Sequence, residues 1–191
     1  MDFTSKTFEG KTFRDVVWSE PLERKEFSNC TFKKCDFGEC DFSGSRFADC
    51  SFLDCDLSNI KVDNCSFQDV FFEDCKLLGV AFGMINAFLL SWKFSKCLIS
   101  FCTFSRIVMK NSSFLDCAIR ETDFVEADLE GSDFSDSDLE LSRFQDVNLQ
   151  KADFRGARNY YIDPTHNKLK GARFSYPGVL ALLDGFGIKV E

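Results

Sequence analysis

Along most of the chain a strongly apolar residue returns at every fifth position. Neither regular element explains that spacing, because a helix repeats its buried face about every 3.6 residues and a strand about every 2. The series runs through Phe27, Phe32, Phe37, Phe42, Phe47, Phe52, Leu57, Val62, Phe67, Phe72, Leu77 and Phe82. It slips by two residues, resumes at Leu89 or Phe94, and continues through Ile99, Phe104, Met109, Phe114, Ile119, Phe124, Leu129, Phe134, Leu139, Phe144, Leu149 and Phe154. An offset series, Phe3, Phe8, Phe13 and Trp18, opens the chain, Leu169 and Phe174 keep the beat near its end, and in all 20 of the 24 Phe residues hold this one position. Two places earlier stands a slim residue, as at Cys30, Ser45, Cys65, Ala127, Ser132, Ser137 and Ala152, while the other three positions of each five are mostly polar. Two inward and three outward residues in a short fixed period predict a solenoid, in which each turn buries its apolar face only by stacking on the next.

The segments "ADLEGSDFSDSDLELSRF" and "ADFRGA" resemble the pentapeptide-repeat family, whose consensus is A(D/N)Lxx, and the resemblance runs from Phe3 to about Ala157. It implies an all-β fold, a right-handed quadrilateral β-helix in which each pentapeptide forms one side and four sides close a coil. Stacked coils then repeat at the strand spacing of about 4.8 Å. The expected organisation is a repeat domain over 1–176, with register breaks near 19–26 and 83–93, and a closing segment over 177–191. There Pro177 opens a short C-terminal α-helix cap carrying Val179, Leu180, Leu182 and Leu183, with Gly185 or Gly187 ending it.

Ten cysteines invite metal or disulfide readings, yet all ten fall on the slim inward position. Cys30, Cys35 and Cys40 lie on successive sides of one coil, unlike the C-x2-C pairs that hold zinc. They read as small buried hydrophobes, and no metal or cofactor is expected.

The composition, 45% hydrophobic and 28% charged, is that of a folded soluble chain. The opening "MDFTSKTFEGKTFRD" has no apolar signal-peptide core and "INAFLLSW" is too short to span a bilayer, so a cytoplasmic protein is expected. A net charge of -8 argues against contact with nucleic acid or an anionic membrane and favours a basic protein partner. From Glu121 to Asp153 eleven acidic residues face only Arg143 and Lys151. Those just before a central residue, such as Asp123, Asp128, Asp133 and Asp138, have a structural reading as acceptors of backbone hydrogen bonds at corners. Glu126, Glu130, Asp136, Glu140 and Asp146 fit that reading less well and are the candidate partner-binding acidic face.

Two breaks offer further contacts. "GMINAFLLSWK" replaces polar outward positions with Met84, Ile85, Phe88, Leu90 and Trp92, either as a loop repacked on the rod or as an exposed apolar site. The closing segment must cover the last rung, and Leu180, Leu183 and Phe186 are its candidate cap or dimer contacts. The members most resembled are the Qnr-type quinolone-resistance and microcin-immunity proteins. That resemblance implies an acidic rod that mimics DNA, binds a type II topoisomerase such as DNA gyrase or topoisomerase IV, protects against a quinolone or toxin, and forms a homodimer through the C-terminus. The alternative is an interaction scaffold with another partner. Catalysis is not expected: His166 is the single histidine, and no phosphate loop, nucleophile elbow or metal-ligand spacing occurs.

Overall fold

In the computed structural model, which describes residues 5–86 and 90–188, the chain winds as a four-sided β-solenoid of parallel coils. Several inward rings sit at the middle of very short strands, so that Glu26–Ser28, Arg46–Ala48 and Ser66–Gln68 pair with Phe27 opposite Phe47 and Phe47 opposite Phe67. The next side runs through Thr12–Arg14, Thr31–Lys33, Ser51–Leu53, Val70–Glu73, Trp92–Ser95 and Ser113–Leu115 in one six-stranded sheet. Bridges from Ser113 to Asp133 and on to Asp153 carry it to the final strand Arg173–Phe174.

Because the strands are parallel and in register, each ring lies on its equivalent in the next coil. Phe94, Phe114, Phe134 and Phe154 stack with centroids 5.0, 4.9 and 5.0 Å apart and planes within 10° of parallel. Around the axis, rings of neighbouring sides meet edge to face instead, as Phe114 and Phe124 do at 6.0 Å and 87°. Both geometries satisfy the ring quadrupole, so the axis is filled by aromatic pairs of favourable kind. Phe27, Phe47, Phe94, Phe114, Phe134 and Phe154 are wholly buried.

The slim position is slim because it lies between rungs, against backbone. Cys50 Sγ donates to the carbonyls of Phe27 and Ala48 at 3.5 and 3.3 Å, and Ser137 Oγ donates to that of Phe114 at 2.6 Å. The ten cysteines are all free and buried. Burial pushes the Cys40 thiol up to about 11, Cys50 to about 12 and Cys102 to about 11. Burial leaves Cys40, Cys50 and Cys102 as packing groups with weak hydrogen bonds, not nucleophiles.

The corner is made two residues after most of the central inward residues. There the backbone turns left-handed, at Asn29, Asp49, Asp54, Asn59, Asn64, Asp69, Asp74, Asn111, Asp116 and Asp136 among others, with φ between 50 and 61°. Asp and Asn tolerate this conformation better than most L-residues, which explains why the third outward position so often holds one of them. Gly156 takes the same corner, and a Cβ there would lie 2.0 Å from Asp136 Oδ1.

The register breaks are absorbed without interrupting the rod. The first coil is slightly shorter than the regular one, pairing Phe8 with Phe27 and Phe13 with Phe32, and Leu22 supplies the inward side chain after Pro21. The second break lengthens a coil and places Phe94 on Phe72. Here one reading of the sequence is corrected: Trp92 is not on an exposed apolar site but is 1% exposed. It occupies the slim slot before Phe94, packs edge-on against Phe67, Phe82 and Phe94, and its Nε1 donates to the Phe67 carbonyl at 3.1 Å. Leu90 and Ile85 are half-buried against the core, Met84 is 59% exposed, and Phe88 lies outside the described residues.

At the far end Asp163 to Asn167 forms a loop, after which Leu169 and Phe174 complete a last coil. The closing helix Gly178–Phe186 is present but wound as a 3-10 helix, with Leu180 N donating to the Pro177 carbonyl, and ends at left-handed Gly187. Ala181 and Leu182 pack on the core, while no residue of the helix is fully buried.

Phe114→Ala removes a ring held between two others and is expected to cost about 3–5 kcal/mol in urea unfolding, whereas a loss under about 1 kcal/mol would mean that the stack carries little. In the native protein at pH 8 the ten thiols should resist a disulfide reagent for hours and all react once the chain is unfolded. Rapid native labelling of several would contradict their burial.

Candidate protein-binding surface

The acidic stretch looks different in three dimensions from its local sequence. Charges one coil away face it, and several are basic. Arg106 pairs with Glu126 at 3.1 Å, Lys110 with Glu130 at 3.0 Å and Arg143 with Asp123 at 3.3 Å, each partner lying one coil along the chain. Lys151 reaches Glu130 from above at 2.7 Å, and Arg120 lies 3.5 Å from Glu140. The ammonium groups of Lys151 and Lys110 hold the Glu130 carboxyl down at about 2.

Two carboxylates are clamped more deeply. Asp138 lies between Arg120 at 3.4 Å and Arg158 at 3.8 Å, with Asn159 Nδ2 donating to it at 2.8 Å. Against the desolvation that would raise it, Asn159, Arg120 and Arg158 hold its carboxyl below the usual range. Asp153 is gripped by Arg155 and Arg173, both at 2.7 Å, and the Arg155 hydrogen bonds lower its pKa. Their work is structural: they clip the last coils to the rod.

The structural reading of the residues before the rings holds at several corners. Asp128 accepts from the Glu130 backbone N–H at 3.2 Å, Asp133 from Ser135 at 2.9 Å and Asp153 from Arg155 at 3.1 Å. Of the candidate acidic face, Glu126, Asp136 and Asp146 turn out to be left-handed corner residues, while Glu130 and Glu140 are not. Asp136 and Asp146 are exposed and, among the described residues, make no ion pair within 4.0 Å. Asp116, one rung from Asp136 in the same corner column, is exposed and equally unpaired. Net negative potential therefore comes from the corner columns, with the side centres largely neutralised.

Other features have limited chemistry. His166 is exposed, and its Nδ1 lies 3.1 Å from both Asp163 Oδ2 and Thr165 Oγ1. It stands on the wall of an open recess of about 370 Å³ beside Tyr161 and Arg143. Arg143 is engaged by Asp123 and the His166 ring by Asp163, so these groups at the recess already have partners. Among the described residues no three His, Cys, Asp or Glu side chains gather as a metal site, and no helix is long and apolar enough to cross a membrane. At the closing end Leu180 and Leu183 are half-buried, Phe186 and Ile188 are exposed, and Tyr176 is 81% exposed.

A family model described as a pentapeptide repeat region matches residues 25–87 and 80–154, more than half of the sequence. The chain is a pentapeptide-repeat protein. No curated protein matches it. Among solved structures, a trypsin-treated variant of QnrB1, described as a plasmid-mediated fluoroquinolone resistance protein, matches with a TM-score of 0.67 at 20% identity, covering 96% of this chain and 99% of that one. A second trypsin-treated variant gives 0.66 at 19% identity, with 97% and 99% covered. Full-length QnrB1 gives 0.52 at 18%, with 95% and 100% covered. At these identities the likeness is one of fold, extending over nearly the whole pentapeptide-repeat chain.

The clamped carboxylates generate a pH prediction. Glu130, Asp138 and Asp153 have lower pKa values folded than unfolded, so their contribution is present above about pH 5 and is lost as pH falls through about 4 toward 2. Urea midpoints should be flat from pH 7 to 5 and fall below pH 4, with Asp153→Asn flattening part of that fall. A midpoint that rises on acidification would contradict the ion-pair account.

Proposed function

We propose that this pentapeptide-repeat rod is a non-catalytic, cytoplasmic binding protein that presents negative charge as a DNA duplex does and binds a type II topoisomerase, DNA gyrase or topoisomerase IV, giving protection against a quinolone or a toxin. The observation that carries the reading is the set of unpaired carboxylates at exposed corners, Asp116, Asp136 and Asp146, on a rod of net charge -8. Asp116 and Asp136 succeed one another in one column at the rung spacing of about 4.8 Å, with Asp146 on another corner, and an enzyme that grips phosphates offers a basic groove to which they are complementary. The fold likeness to QnrB1, a fluoroquinolone resistance protein, supports the quinolone-protection part of the reading.

The closing end fits a homodimer. Tyr176, Phe186 and Ile188 are exposed beside half-buried Leu180 and Leu183, an apolar end that a second copy would cover. Two rods joined there would double the length of the acidic face. The alternative, a scaffold for another protein, now draws on Met84 rather than on Trp92, since Trp92 belongs to the core.

In a gyrase supercoiling and quinolone-cleavage assay the purified protein should inhibit supercoiling or relieve cleavage, less so as salt rises. Asp136→Lys with Asp146→Lys should weaken the effect about tenfold, as loss of complementary charge does, without changing the melting curve by more than a few degrees. No effect on either activity over a wide protein range would dispose of topoisomerase binding.

A further inference from the structure

One corner column breaks the chemical rule of the others. Its residues Phe101, Glu121 and Leu141 succeed one another by single rungs, as the bonds from Phe101 N to the Arg120 carbonyl and from Glu121 N to the Glu140 carbonyl show. All three backbones are left-handed, at φ 56, 47 and 58°. Asp, Asn and Gly are common at this position elsewhere, whereas Phe and Leu are strained in it. They are also out in water, 62% and 71% exposed, so the strain is not offset by burial. Leu98, on the same side as Phe101, adds further exposed apolar surface. Strain kept where no packing demands it points to use by something outside the fold.

Glu121 is as unusual as its neighbours. Glu126, Glu130 and Glu140 each have a cation one rung away, at Arg106, Lys110 and Arg120. Above and below Glu121 in its own column are Leu141 and Phe101, and among the described residues it makes no ion pair within 4.0 Å. Arg120, next to it in sequence, is spent on Asp138 and Glu140. The edge therefore reads apolar, negative, apolar along the rod axis.

We propose that this edge is a docking site for a basic amphipathic helix lying parallel to the rod. The spacing selects the occupant. Two rungs separate Phe101 from Leu141 by about 9.6 Å, and residues seven apart on a helix are separated by about 10.5 Å along its axis. A Lys or Arg three or four residues after the first apolar residue stands about 4.5–6 Å along the helix, against about 4.8 Å for the single rung to Glu121. An extended strand does not match, because its same-face residues recur about every 6.6 Å. The surface is distinct from the Asp116, Asp136 and Asp146 corners and does not depend on topoisomerase binding.

The test uses the full chain and a labelled, lactam-stapled helical probe with two Leu seven residues apart, Lys three and four residues after the first, and Ala or Gln elsewhere. Fluorescence anisotropy should show binding to the wild type. Glu121→Lys should weaken it about tenfold, as should Phe101→Asn with Leu141→Asn. The Asn variants put a residue suited to the corner at each site, so their melting temperature should be no lower than wild type, which separates lost docking from lost folding. The proposal is overturned if the wild type does not bind, if the variants bind equally, or if a probe with its Leu residues two apart binds as well. It is also overturned if sedimentation shows self-association that disappears in the Asn variants, which would assign the edge to a second copy.

Discussion

Parallel backbone pairing between successive coils sets every side chain directly beside its equivalent one rung away. At each of the five positions, what matters is then how a residue type behaves beside another residue one coil distant. Rings succeed at the central position because stacked phenyl groups attract. Thiols and hydroxyls succeed two places earlier because they are thin enough to lie between rungs and donate to the carbonyls there. Asp and Asn succeed at the corner because they tolerate a left-handed backbone. The five-residue period is the sequence record of this one constraint.

The same constraint decides the electrostatics. Like charges on adjacent rungs destabilise a sheet, and the chain meets that by placing Lys and Arg one coil from Glu and Asp. Exposed pairs of this kind each contribute little, but the arrangement cancels the field over the sides and leaves it at the corners. A partner that reads charge would therefore meet narrow axial lines of carboxylate along the edges of the rod. A partner that reads apolar surface would meet the column where Phe101 and Leu141 interrupt those lines, or the apolar closing end.

Most of the fold is legible in the sequence because inward positions repeat so strictly. Phe94, Phe114, Cys50 and Ser137 can be placed from periodicity alone, and Leu169 and Phe174 carry the beat into the last coil. What escapes is anything depending on a residue a full coil away. Glu126 and Glu130 look unpaired in the sequence because Arg106 and Lys110 are distant in the chain and adjacent only in space. Trp92 looks exposed because it stands at a position where the other occupants are slim, and only the lengthened coil between Phe72 and Phe94 lets an indole in. Phe101 and Leu141 pass unnoticed as off-period residues, although a bulky apolar residue two places after a central inward residue, here Ile99 and Leu139, is a signal that corner chemistry has been set aside.

Axial register, coil by coil, is the central claim, and deletions test it most directly. Removing residues 113–132 takes out one full coil and brings Phe94 against Phe134. The shorter deletion of residues 113–129 leaves every later ring out of register. The account predicts that the first variant stays folded and unfolds cooperatively in urea, while the second loses its cooperative transition. Equal stability of the two would contradict it.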